Sequence, residues 1–415
     1  MTDSFNEAEQ SAAERAKFGA LVNGAPAGVD PTLDLSAMDN AIAPAIPAAE
    51  QAYPTAPENN KSSGRVATML SNNVRKRLGE GKNSRYLALK ADLAYRLNPA
   101  QETADMAAEA NFRVYDKKGR YADLERQLSG SPIDLLNAHV GVLRREVGKR
   151  IQDAVEPARS TVTLSSIREV FDKEERIGAK YDKAIALARL YEATSADSRN
   201  IEDLMGAHTS INEARSLSAG QVDWVEGVYN WTLGLLRSEV RRLMQTGTHD
   251  AVELAEFRVS HDKDESVGSL YDAAIAYANL AERLPQGQRS KRDLIEAYEF
   301  ANRAVRLSPE ENWVRDVYNW TLGLLRGEVT KRLQEDVRPS KETVELAEYR
   351  LANDRDEYIG ALHDAAIAYG RLYQTTAKER GQLTTARGHI EKASNLSAGQ
   401  VDWVENVKQW ITSLE

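Results

Sequence analysis

The stretch Asp223-Trp-Val-Glu-Gly-Val-Tyr-Asn-Trp-Thr-Leu-Gly-Leu-Leu-Arg237 returns as Asn312-Trp-Val-Arg-Asp-Val-Tyr-Asn-Trp-Thr-Leu-Gly-Leu-Leu-Arg326, 89 residues later. A third copy begins at Asp402-Trp403-Val404-Glu405, a further 90 residues on. All six tryptophans lie in this motif as pairs seven apart: Trp224/Trp231, Trp313/Trp320 and Trp403/Trp410. Seven residues is close to two helical turns, so each pair falls on one helical face. A more diverged copy without Trp reads Val140-Gly-Val-Leu-Arg-Arg-Glu-Val147. Self-similarity at a fixed long period is the signature of a repeat array, in which each unit buries its apolar face against its neighbours.

Two further motifs keep the same period. Ile177-Gly-Ala-Lys-Tyr-Asp-Lys-Ala-Ile-Ala186 returns as Val267-Gly-Ser-Leu-Tyr-Asp-Ala-Ala-Ile-Ala276 and Ile359-Gly-Ala-Leu-His-Asp-Ala-Ala-Ile-Ala368, at offsets of 90 and 92. Val147-Gly-Lys-Arg-Ile, Val240-Arg-Arg-Leu-Met and Val329-Thr-Lys-Arg-Leu form the other, and Val74-Arg-Lys-Arg-Leu78 looks like an earlier copy. The chain then divides into a tail over 1–64, a partial repeat over 65–128, full units over 129–217, 218–307 and 308–396, and a terminal half-repeat over 397–415.

Each unit reads as four helices. In the unit 218–307 the expected spans are Val222–Met244, Asp250–His261, Glu265–Leu284 and Arg292–Leu307. Apolar residues recur at helical spacing in the third of these, at Leu270, Ala273, Ala274, Tyr277, Leu280, Ala281 and Leu284. Thr246-Gly247-Thr248 and Pro285-Gln286-Gly287 break the pattern, and Asp250 and Ser308 stand where N-caps are expected. No stretch alternates with period two, so the expected fold class is all-α, a superhelical array of helical hairpins behind a disordered N-terminal tail. The tail holds six of the twelve prolines, and two pieces of it, Glu7–Leu21 and Leu33–Ile42, carry helical apolar stripes suited to folding on a partner.

The units resemble tetratricopeptide repeats. The resemblance rests on Gly360, Ala365, Ala366, Tyr369 and Leu372 followed by Ala386, Ile390, Ala393, Leu396 and the Ser397 loop, and on Gly268, Ala274, Tyr277 and Leu280 followed by Ala297, Phe300, Ala301, Ala304 and Leu307-Ser308-Pro309. It covers roughly residues 66–415. The period here is not a multiple of the family's roughly 34 residues, so each unit would be two lengthened hairpins. The resemblance implies an α-solenoid that binds proteins or peptides in a groove, and it supplies no catalytic residues.

Three sets of repeated residues are the candidates for structure or contact. The six Trp are expected in the repeat core, at the joint between units, with an exposed aromatic ladder on a groove as the alternative. Gly178, Gly268 and Gly360 interrupt helices at a cost of about 1 kcal/mol each, which points to close helix–helix approach, with Gly141, Gly234 and Gly323 in the facing role. Asp182, Asp272 and Asp364 and the basic columns Arg144/Arg237/Arg326 and Lys149/Arg242/Lys331 are expected to form one Asp–Arg or Asp–Lys bridge per unit, or a charged stripe offered to a partner. The acidic runs Asp262–Glu265 and Asp354–Glu357 read as solvated helix ends.

The composition narrows the function. The net charge of −9 argues against a general nucleic-acid binder, which needs a basic surface. The absence of cysteine excludes thiol nucleophiles and Cys-ligated metals. Phosphate-loop, GxSxG and HExxH motifs are absent. The six His are scattered, with His249 and His261 the one pair a turn would bring together. No secretory leader or membrane segment is evident, so the expected location is cytoplasmic. The expected function is a non-enzymatic scaffold or adaptor without cofactor or metal, binding proteins or peptides through the array and the tail. The alternative is a structural subunit of a larger assembly, made by contacts between the repeats of different chains.

Overall fold

A computed structural model describes residues 61–82, 84–152, 158–334, 340–376 and 379–414. Among these residues there are seventeen α-helices and no strand, arranged as a consecutive array. Residues 1–60 lie outside the described residues, and with them the two candidate tail helices. The first helix starts at Lys61, inside the expected tail.

The chain divides into two compact units after Ala110, inside the stretch 65–128. The first holds α1 (Lys61–Gly79), α2 (Arg85–Leu97) and the start of α3 (Gln101–Lys117). Helices α1 and α2 form a hairpin about Ala67, Leu70, Val74, Leu87, Ala91 and Ala94, all buried. Ser84 caps α2 by accepting the Leu87 amide.

The second unit continues with α4 (Tyr121–Ser129) and three quartets. The first quartet is α5 (Ile133–Gln152), α6 (Arg159–Phe171), α7 (Arg176–Ala193) and α8 (Ile201–Leu217). The second is α9 (Asp223–Leu243), α10 (His249–His261), α11 (Ser266–Glu282) and α12 (Lys291–Leu307). The third is α13 (Asn312–Gln334), α14 (Lys341–Asn353), α15 (Tyr358–Thr375) and α16 (Arg380–Leu396), and α17 (Asp402–Thr412) follows. Each quartet falls within one expected repeat unit.

The third and fourth helices of each quartet pack most intimately. The reason is their alanines: Ala184 and Ala188 of α7 meet α8 through Ala207 and Ala214, and Ala274, Ala278 and Ala281 of α11 meet α12 through Ala297, Ala301 and Ala304. Small side chains let two backbones approach and fill the gap without voids. The caps differ from expectation. Thr248 caps α10 by accepting the Ala251 amide, which leaves Asp250 in the first turn, and Ser308 is the C-cap of α12 rather than an N-cap.

The seam between quartets is aromatic. His208 of α8 lies 5.1 Å from the ring of Tyr229 on α9 and 6.1 Å from Phe257 on α10. One period on, the same positions are Tyr298, Tyr318 and Tyr349, with the first two hydroxyls 3.1 Å apart. His249 and His261 are the two ends of one helix and do not meet; His261 instead stacks on Phe257 at 3.9 Å. No described helix is long and apolar enough to cross a membrane.

Candidate functional site

Every quartet contains the same five-residue charge clamp, and its members span three helices. In the second quartet Arg237 of α9 donates twice to Asp262, Nε to Oδ2 at 2.8 Å and Nη2 to Oδ1 at 2.7 Å, and reaches Glu265 at 2.9 Å. Arg258 of α10 donates Nε to Asp262 at 3.0 Å, Nη2 to Glu265 at 2.8 Å, and Nη1 to Asp272 on α11. The Glu265 amide closes the ring by donating to Asp262 at 3.2 Å. Arg144, Arg168, Asp172, Glu175 and Asp182 repeat this in the first quartet, and Arg326, Arg350, Asp354, Glu357 and Asp364 in the third.

The clamp corrects three expectations. Asp182, Asp272 and Asp364 do not pair with Arg144, Arg237 and Arg326, because a second arginine, Arg168, Arg258 or Arg350, stands between them. The runs at 262–265 and 354–357 are solvated only in part: Asp264, Asp356 and Glu357 are exposed as expected, but Asp262 and Asp354 are fully buried C-caps. The column Lys149/Arg242/Lys331 takes no part. Lys149 is exposed, Lys331 half-buried, and Arg242 bonds Glu239 on its own helix at 2.5 Å. The missed signal is Arg-x3-Asp-x2-Glu-x2-Gly-x3-Asp, beginning at 168, 258 and 350 with invariant spacing. The distance from the first arginine to the second is not invariant: 24 residues, then 21, then 24.

The clamp also explains the repeated glycines. A Cβ on Gly178, Gly268 or Gly360 would stand 3.3, 3.6 or 3.5 Å from Nη2 of Arg168, Arg258 or Arg350. A methyl group would press on the guanidinium at Gly178 and make ordinary contact with it at Gly268 and Gly360, so what these glycines face is the clamp arginine. Gly141, Gly234 and Gly323 have nothing within 4 Å of such an atom and face no partner.

Electrostatically, each clamp sets two guanidinium groups against three carboxylates. Burial opposes the charge on Asp172, Asp262 and Asp354, but the arginines and the capped amide outweigh it and hold their pKa values below the ordinary carboxylate range. Asp182 takes the surplus: burial, with Glu175 and Asp172 adding repulsion, pushes it up to about 6 against the pull of Arg168. Burial pushes Asp272 up as well.

The long helices of the second and third quartets are tied in both directions. Glu239 of α9, buried, accepts from Arg199 of the preceding quartet at 3.2 Å. Glu328 of α13, fully buried, accepts the Gly287 and Arg289 amides at 2.7 and 3.1 Å and is held by Arg332 at 2.7 Å. The long helices α9 and α13 thus reach forward through arginine and back through glutamate.

The tryptophans divide into two kinds. Trp231, Trp320 and Trp410 are half-buried. Trp231 packs against Val162, Ala186, Leu187, Ala188 and Ala207, and Trp410 against the core around Leu362, Ile390 and Ile411. Trp224, Trp313 and Trp403 are not core, being 46%, 40% and 46% exposed. Each is the second residue of its helix, about two turns before its half-buried partner. Each stands edge-on to an aromatic ring of the preceding quartet: Trp224 to Tyr181 at 4.4 Å, Trp313 to Tyr271 at 4.7 Å, Trp403 to His363 at 4.5 Å. The ring residue immediately precedes the clamp aspartate, so the clamp fixes the surface on which the exposed Trp rests. Leu217, Leu307 and Leu396, the last residues of the helices just before these Trp, are also exposed.

Among the described residues no cluster of three or more His, Asp or Glu could hold a metal ion. No known protein family matches the chain. No curated protein matches it in sequence.

Proposed function

We propose that the chain is a non-enzymatic scaffold or adaptor of the tetratricopeptide-like, α-solenoid kind, cytoplasmic, and that it binds proteins or peptides through the array. The observation that carries this reading is the threefold exposed corner of Trp224 on Tyr181, Trp313 on Tyr271 and Trp403 on His363. Exposed tryptophan held rigidly in place offers a large contact area at little entropic cost, which is why this side chain dominates protein-contact energetics. Nothing inside the fold accounts for keeping it half in water three times. The perturbed carboxylates support a binding protein over an enzyme, since they are copied once per period and each is occupied by arginine.

The test is quantitative capture of binding proteins by the full chain against a Trp224→Ala, Trp313→Ala, Trp403→Ala variant of unchanged helicity. Partners should be lost from the variant. Equal capture by both proteins would place recognition elsewhere.

A further inference from the structure

The charge of the chain is unevenly placed. Residues 1–60 carry nine acidic and two basic side chains, a net of −7. The α1–α2 hairpin, residues 61–97, carries nine basic and two acidic, a net of +7. The two blocks cancel, and the remaining 98–415 carries the whole −9 of the protein. Such a basic block is exceptional in a chain whose other described helices mix both signs, apart from α11, which carries only Asp272 and Glu282.

The hairpin presents this charge outward. Arg75, Lys76, Lys82, Arg85 and Arg96 are exposed, while the apolar side chains that join the two helices are buried. Acidic neighbours temper the surface, among them Glu102 on Arg75 at 2.7 Å and Glu80 on Arg77 at 3.6 Å. Lys90 is turned inward, over the Tyr86 ring and toward Asn73. Met69, 52% exposed, adds an apolar contact beside the charge.

We propose that this hairpin is the docking surface for the chain's own acidic residues 1–60. Those residues run directly into Lys61, the first residue of α1, so they are tethered at the surface they match in magnitude and opposite sign. A tether turns a weak ionic contact into an intramolecular one at high effective concentration. The contact is electrostatic, so salt weakens it: the screening length falls from about 10 Å at 0.1 M to about 3 Å at 1 M. An external polyanion that binds the hairpin has to displace the segment first, and docking thereby sets a threshold for such partners.

The chain has no cysteine, so a donor and an acceptor dye can be attached to the full protein through Ser36→Cys and Asn72→Cys alone. Energy transfer should be high in low salt and fall by at least about half in roughly 0.5 M salt. It should fall similarly at low salt when Asp30, Asp34 and Asp39 are all changed to Asn, a change that leaves the hairpin itself untouched. Lys76→Glu with Lys82→Glu should act in the same direction. Transfer that ignores both salt and the Asn changes overturns the proposal. So does an oligonucleotide duplex that binds the hairpin, with affinity lost in the Lys→Glu variant, while leaving transfer unchanged, because the surface would then serve nucleic acid and not this segment.

Discussion

Asp272 receives a charge-assisted hydrogen bond from Arg258, fourteen residues earlier and on the preceding helix, with both side chains buried. The same arginine also holds Asp262 and Glu265, so one guanidinium satisfies three carboxylates. Removing Arg258 leaves Arg237 on Asp262 and Glu265 but takes the arginine from buried Asp272, and breaking a buried pair in this way costs about 3–5 kcal/mol. Arg258→Met should therefore open α10 and α11 locally, because stability in a repeat array is set by each unit and its neighbours. Hydrogen exchange resolved along the chain measures this: loss of protection should centre on 249–282. Arg258→Lys should rescue little, since an ammonium cannot reproduce the planar fork. Exchange unchanged across α10 and α11 would mean the clamp contributes nothing to stability.

The two tryptophans of a pair should differ in what they stabilise. Trp231→Ala empties a packed seam and should cost about 3 kcal/mol. Trp224→Ala removes a side chain nearly half in water and should cost about 1 kcal/mol or less. Denaturant unfolding of the two variants distinguishes them, and equal losses would return Trp224 to the core.

The two glycine classes should respond with opposite signs. Gly234→Ala and Gly323→Ala place a methyl group in open space within a helix and should stabilise by about 0.5–1 kcal/mol. Gly247→Ala should destabilise by more than that. Its φ of 60° lies in the left-handed region, and its Cβ would stand 2.7 Å from the Asn279 carbonyl oxygen. Thermal unfolding of the three variants gives the signs directly.

Stability should depend on pH through two opposing groups. Burial lowers His139 and His208 from the usual 6.5 to about 4, and His139 has no hydrogen-bond partner on either nitrogen. The folded state then binds fewer protons than the unfolded one, so this stability is complete above pH 6.5 and lost as the pH falls toward 4. Asp182, raised from 3.8 to about 6, acts in reverse and stabilises as the pH falls through that window. His208→Tyr, which copies the counterpart Tyr298, should flatten the acid loss, and Asp182→Asn should steepen it. Melting temperatures across this range decide the matter; a histidine variant with the slope of the parent protein would contradict the buried neutral state.

The period, the helix quartets and the positions of the long helices were legible because apolar spacing and breakers such as Gly247 act locally. In the second unit the four expected spans agree with α9 to α12 within two residues at each end. The pairing of charges was not legible from their presence alone. Asp182, Asp272 and Asp364 were conspicuous beside an alanine-rich segment, yet their partners Arg168, Arg258 and Arg350 sat unremarked in the preceding helix. Periodicity names the residues that share a face, but which arginine reaches which carboxylate depends on how adjacent helices dock. The exposure of Trp224, Trp313 and Trp403 was hidden for a related reason. Periodicity places Trp224 and Trp231 on one helical face, but how deeply each is buried depends on the side chains the neighbouring helix sets against it, Tyr181 for the first and Ala186, Leu187 and Ala188 for the second.

The variable spacing between the two clamp arginines, 24, 21 and 24 residues, has a structural meaning. The difference falls between the first clamp arginine on the long helix and the short helix that follows, while the four clamp positions from Arg168, Arg258 or Arg350 onward never change their interval. The register of each short helix with the one after it is therefore kept independent of the length of chain that leads into it.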